Sequence, residues 1–256
     1  MSEVRLEINA GRDRDGEPES FGTLVLAPGD LVGVVGPTGS GKSRLLADIE
    51  WLSTCDSPSG RRVSLHGLPD EDEYGESTHR RVAQLSQSMQ FTLDLDVGAF
   101  LVLHARAREL PSPELVAAQV VDAACTLCGE SFAASTHLSA LSGGQSRALM
   151  IADTAIVAVA PVVLVDEVEN AGVDRRKALD LLVGRDKIVL MATHDPLLAL
   201  LAPRRVVLAR GGIRQVRERT AGEHELLQDL ERRDAFQSLV RERLRQGLSG
   251  CPEESP

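Results

Sequence analysis

Gly36-Pro37-Thr38-Gly39-Ser40-Gly41-Lys42-Ser43 combines three glycines, a lysine and a hydroxyl at a spacing suited to holding a chain of phosphates. Glycines let the backbone curl until successive N–H groups point inward at phosphate oxygens, a nest that bulky residues would not permit. Lys42 can then reach the β- and γ-phosphates, and the Ser43 hydroxyl can take one position on Mg²⁺. The pattern G-x-x-x-x-G-K-[ST] carries weight only between a strand and a helix. Both are present: Leu31-Val32-Gly33-Val34-Val35 reads as a buried strand, and Arg44-Leu45-Leu46-Ala47-Asp48-Ile49 opens a helix. The helix N-terminus adds partial positive charge beneath the same phosphates. Residues 36–43, with Arg44, are the candidates for binding a nucleoside triphosphate.

Further groups stand where such chemistry would need them. Hydrolysis of a γ-phosphate needs a metal, an oriented water and positive charge on the transferring group. The apolar run Pro161-Val162-Val163-Leu164-Val165 ends in Asp166 and Glu167, one carboxylate for the metal and one to polarise water. A second apolar run, residues 187–192, is followed by His194, which can hydrogen-bond a γ-phosphate. Gln87 closes a short strand that starts at Val82, and Ser142-Gly143-Gly144-Gln145 precedes an apolar helix over 147–159.

The elements that would position these groups alternate between strand and helix. Strands are expected at 4–8, 23–27, 31–35, 62–66, 82–87, 161–167, 187–192 and 206–209, with a last hairpin turning at 211–213. Between 88 and 140 the pattern turns helical, clearest over 97–108 and 114–128, with Pro111 and Pro113 between them. A further helix is expected at 175–183. From 218 to 247 a charged stretch carries Leu226, Leu227, Leu230, Phe236, Leu239, Val240 and Leu244 at helical spacing, an appended amphipathic tail.

A chain of 256 residues can bury a full core. The net charge of −10 argues against a primary role on nucleic acid, because phosphate neutralisation dominates such binding. No apolar run approaches the ~20 residues of a membrane span, and residues 1–5 lack a signal pattern. The expected place is therefore the cytoplasm, or the inner face of a membrane through a partner that supplies the spans. Four cysteines over this length do not make a disulfide framework. Cys125 and Cys128, at C-x-x-C spacing, read as buried residues of a helix face, since nothing nearby completes a zinc site.

In this order and at these distances the motifs resemble the ATP-binding cassette (ABC) ATPases, over residues 4–214. The resemblance implies an α/β fold: a P-loop NTPase core with an N-terminal antiparallel β subdomain and an inserted helical subdomain. Residues 1–217 would be the nucleotide-binding domain, about 88–140 its helical subdomain, 218–247 a C-terminal helical extension and 248–256 a disordered tail. Residues 36–43 match the phosphate-binding loop. Gln87 matches the Q-loop glutamine, in contact with Mg²⁺ and the attacking water. Leu141 to Gln145 match the signature sequence, and Asp166 closes the Walker B strand on Mg²⁺. Glu167 matches the catalytic carboxylate, His194 the switch histidine and Asp174 the aspartate of the D-loop.

In the family the signature reaches the nucleotide of a second cassette, so the implied assembly is a head-to-tail dimer around ATP and Mg²⁺. Ser142 and the amides of Gly143 and Gly144 would bind the partner's γ-phosphate. Departures are visible. Val168 stands where the family has proline, Asn170 to Asp174 is one residue longer than the usual D-loop, and Asp153 replaces an importer arginine. Phe21 lies too near the first glycine for the adenine-stacking aromatic. Two readings follow: the energising subunit of a transporter with a separately encoded permease, or a soluble ATPase driving a cytoplasmic protein partner. A coiled-coil chromosome protein is disfavoured because no long heptad arm interrupts the cassette.

Overall fold

The computed structural model describes residues 4–68, 81–86, 89–166 and 172–249. At its centre the apolar runs pair as strands buried on both faces. The sheet orders β5 (Val82–Leu85), β6 (Val162–Asp166), β7 (Ile188–Ala192), β3 (Leu31–Val35), β8 (Arg204–Ala209) and β9 (Gly212–Glu218) side by side. The first five run parallel, and β9 returns antiparallel to β8. Such strands carry near-continuous apolar sequence because both faces are covered.

Register sorts the side chains. Val163 of β6 lies opposite Val189 of β7, and both enter one core cluster with Val165 and Met191. Val162, Leu164, Ile188, Leu190 and Ala192, at the alternate positions, enter the other. That second cluster is closed by α1 (Lys42–Glu50) and by a smaller antiparallel sheet, ordered β2 (Thr23–Leu26), β1 (Arg5–Asn9), β4 (Arg62–His66). The first is closed by α2 (Val97–Ala107), α3 (Pro113–Cys128), α4 (Gly143–Ile156) and α5 (Arg175–Val183). Because β3, β5, β6 and β7 are parallel, the segments that leave their carboxyl ends gather at one edge, where an open α/β sheet places its ligands.

Several elements differ from the sequence expectation. The helix expected at 147 begins at Gly143, because Ser142 and Gln145 form a reciprocal capping box that extends it by a turn. Within 88–140 the described residues hold two helices and a 3-10 turn, Leu138–Ala140, with non-helical chain at 129–137. A short helix, α6 (Pro196–Leu201), was not foreseen, although Asp195 as cap and Pro196 at the first helical position signal it. The hairpin strand β9 runs on to Glu218, so α7 (Ala221–Arg245) starts later than the tail pattern suggested.

Candidate nucleotide site

The phosphate-loop candidate is braced from behind. Gly41, φ 106°, ends the loop in a left-handed conformation and Lys42 begins α1. A Cβ on Gly41 would stand 2.9 Å from the Cα of Gly211, and one on Gly36 would stand 2.5 Å from the Leu208 carbonyl oxygen. No other residue fits either place. The β8–β9 turn is thus pressed against the loop, and the Gly211 N–H donates to the Ser40 carbonyl at 2.9 Å. The Ser40 hydroxyl is buried without a hydrogen-bond partner. Pro37, Thr38, Gly39, Ser43 and Arg44 are exposed, which leaves the outer side of the loop open.

Lys42 is 8 % exposed, and its Nζ donates to the Gly36 carbonyl at 2.9 Å. The same Nζ stands 2.9 Å from Nε2 of His194. Two residues far apart in the chain therefore meet, because β3 and β7 are neighbouring parallel strands and each delivers its next loop to the same edge. Asp166 ends β6 with its Cα paired to Ala192, two residues before His194. An ammonium, an imidazole, a strand-end carboxylate and the Ser43 hydroxyl are the groups this edge offers to a polyphosphate and to an oxygen-seeking divalent cation. The fit with nucleotide is good: a glycine-built loop braced behind and open on its outer side, a buried hydroxyl in need of a partner, and a lysine beside them. Gln87 and Glu167 lie outside the described residues.

The signature candidates stand apart. Ser142 Oγ accepts from the Gln145 N–H at 3.2 Å, and Gln145 Oε1 accepts from the Ser142 N–H at 3.0 Å. Gly144 lies against Gly172 so closely that a Cβ would meet its carbonyl oxygen at 3.1 Å. Among the described residues, Ser142 and Gln145 hydrogen-bond each other and not residues 36–43. Asp174 caps α5, accepting from the Lys177 N–H at 3.1 Å, while its own N–H donates to Leu127. Phe21 is half-buried against the core that α1 and the small sheet share.

Two groups of charges escaped the sequence reading. Arg61, fully buried, pairs with Glu19 at 2.5 Å and with Asp48 of α1 at 2.8 Å, and donates to the Gly211 carbonyl at 3.1 Å. This cluster ties the loop's helix to the turn behind the loop. Arg175 pairs with Asp195, the residue after His194, and with Asp234 of α7. Neither has a local signal, since the partners are scattered along the chain. Cys125 and Cys128 give their thiols to the Phe132 and Glu130 carbonyls. Burial pushes the Cys128 thiol above its ordinary range, which makes it a poor thiolate.

A strand, a glycine-rich phosphate loop and a helix, set in a parallel sheet beside a second strand-end carboxylate, define a P-loop NTPase. Residues 23–170 match the family model described as ABC transporter, and the chain belongs to that family. It is an ATPase. An uncharacterized ABC transporter ATP-binding protein of Methanocaldococcus jannaschii is 42 % identical over 248 residues, covering 96 % of this chain and 95 % of its own. The cobalamin import ATP-binding protein of Halobacterium salinarum is 30 % identical over 72 % of this chain, which spans only 47 % of that protein. Among solved structures, cbiO1 from Clostridium perfringens, part of the ABC transporter complex cbiONQ, superposes with a TM-score of 0.61 at 20 % identity. That match covers 96 % of this chain and 98 % of the other, a likeness of fold along nearly the whole length.

Proposed function

We propose that this chain is the energising subunit of a membrane transporter, acting as a head-to-tail dimer in which two cassettes enclose two ATP molecules. The observation that carries the dimer is the N-terminus of α4. Ser142 and Gly143 are exposed there, at a capped helix end whose glycine amides suit an anion. A second copy supplies the phosphate. In each site the amides of residues 36–41 hold the β-phosphate, and Lys42 exchanges its contact with Gly36 for β- and γ-phosphate oxygens. His194 hydrogen-bonds the γ-phosphate and reports its presence. Glu167 orients the attacking water and Gln87 links the site to the coupling surface.

Ser43, Asp166 and Gln87 would hold Mg²⁺, which neutralises charge on the β- and γ-phosphate oxygens when bound. The relatives named for import and the transporter complex of the solved neighbour support a separately encoded permease. No helix among the described residues is long and apolar enough to cross a membrane. In this reading the spans belong to that permease, with this chain on its cytoplasmic side. The deciding experiment is purification of Glu167→Gln from native cells in Mg-ATP. A stable dimer by light scattering, with a co-purifying integral membrane protein, is the expected result. A monomer that hydrolyses ATP at the parent rate overturns the sandwich, and a soluble enzyme as sole partner replaces transport with a cytoplasmic conformational cycle.

A further inference from the structure

Arg175 opens α5 and lies half-buried where three elements meet. One end of its guanidinium pairs with Oδ2 of Asp195 and the other with Oδ1 of Asp234 on α7. The fork holds both carboxylates at once, a geometry that a lysine point charge does not reproduce. Its stem lines a small apolar cavity with Val165 of β6 and Met191 of β7, the strands that lead to Asp166 and His194. Asp195 is built into the His194 turn. Its Oδ1 accepts from the Leu197 N–H at 2.7 Å and caps α6, while its own N–H donates to the Thr193 hydroxyl at 2.9 Å. Thr193 in turn donates its N–H to the Val34 carbonyl of β3 at 3.2 Å. His194 is therefore suspended between a tie to the phosphate-loop strand and a tie to Arg175. One residue along α5, Arg176 pairs with Glu231 and adds a second link to α7.

We propose that Arg175 is a positioning residue for ATP hydrolysis, and that through Asp234 it makes the C-terminal helix α7 a brace on the His194 turn. Without the guanidinium, Asp195 and Asp234 face each other as like charges in a half-buried site, and repulsion moves the turn. Without Asp234, the fork loses its anchor on α7 and the turn gains freedom. The inference rests on the reading of His194 as the γ-phosphate sensor. A displacement of about 1 Å at such a group is enough to slow chemistry well beyond tenfold, whereas ground-state binding by the loop is untouched.

The test uses the full chain with four variants: Asp234→Ala, Arg175→Ala, Arg175→Lys and His194→Ala. Expected are a fall in kcat of about tenfold or more for the Asp234→Ala and Arg175→Ala variants with KM for ATP unchanged, and partial recovery in Arg175→Lys. Amide exchange, which needs no activity, should quicken at Leu197 and Leu198 in Asp234→Ala, a truncation at one half-buried position of α7. Unchanged exchange and unchanged kcat in Asp234→Ala overturn the brace. Quickened exchange with parent kcat also overturns it as a positioning device. A His194→Ala variant that keeps the parent kcat shows instead that the sensor reading has failed.

Discussion

Gly41 shows how much one residue decides. Its φ of 106° is open to glycine and strained for any side chain, and the Gly211 backbone occupies the space a Cβ would need. Gly41→Ala should therefore cost about 1–3 kcal/mol from backbone strain alone, and it should also push the loop off the β8–β9 turn. The expected outcome is a folded protein of lower melting temperature whose ATP binding, followed by titration calorimetry, is lost. Retained affinity would mean that the loop geometry does not set binding. Lys42 was legible by type and spacing, but its nearness to His194 was not. Residue type announces what a group can do, and only the neighbouring strand order puts two such groups 2.9 Å apart.

At the scale of elements, α7 is held by its first turn as well as by its ion pairs. Thr220 and Glu223 cap it reciprocally, the Thr220 N–H donating to Glu223 Oε2 at 2.9 Å and the Glu223 N–H donating to Thr220 Oγ1 at 3.3 Å. The Arg205 guanidinium from β8, and then the Thr220 amide, draw the Glu223 carboxyl down to about 2. A carboxyl with a depressed folded-state pKa contributes stability that is present above its unfolded value of 4.5, and this is lost as pH falls toward about 2. Unfolding by urea should show a stability decline across that window, and Glu223→Gln should flatten it. An identical pH slope in parent and variant would remove the Arg205–Glu223 pair from the account. The amphipathic spacing of the tail foretold a helix. It did not foretell that Arg205 of β8 and Arg175 and Arg176 of α5 would hold it down.

For the whole molecule the decisive feature is the buried cluster of Arg61, Glu19 and Asp48. It joins the hairpin at 11–19, the end of α1, the entry to β4 and the turn at Gly211, and all three side chains are shut off from water. Glu19 also accepts from the Gly11 and Ile213 N–H groups. A buried ion pair adds little over an apolar equivalent, but removing one partner strands the others as uncompensated charges. Arg61→Ala should destabilise the chain by about 3–5 kcal/mol. In a calorimetric scan this corresponds to a midpoint lower by roughly 10 °C for a protein of this size. A change of a degree or less would mean that water or other groups compensate the two carboxylates.

Short-range pattern determined most of the architecture. The apolar strands, the strand–loop–helix context of Gly36 to Ser43, the helices at 97–107 and 113–128 and the start of α5 are all written in windows of a few residues, where propensity and periodicity act. The capping residues Ser142 and Asp195 were equally local, and careful reading of the Asp-Pro step would have found α6. Tertiary structure alone decided which strands are neighbours, that Lys42 faces His194, that Arg61 finds Glu19 and Asp48, and that Arg175 joins Asp195 to Asp234. The physical reason is range. Helix, strand and turn preferences are set by sterics and hydrogen bonds between near neighbours in the chain, whereas an ion pair forms between whichever charges the packed core leaves adjacent.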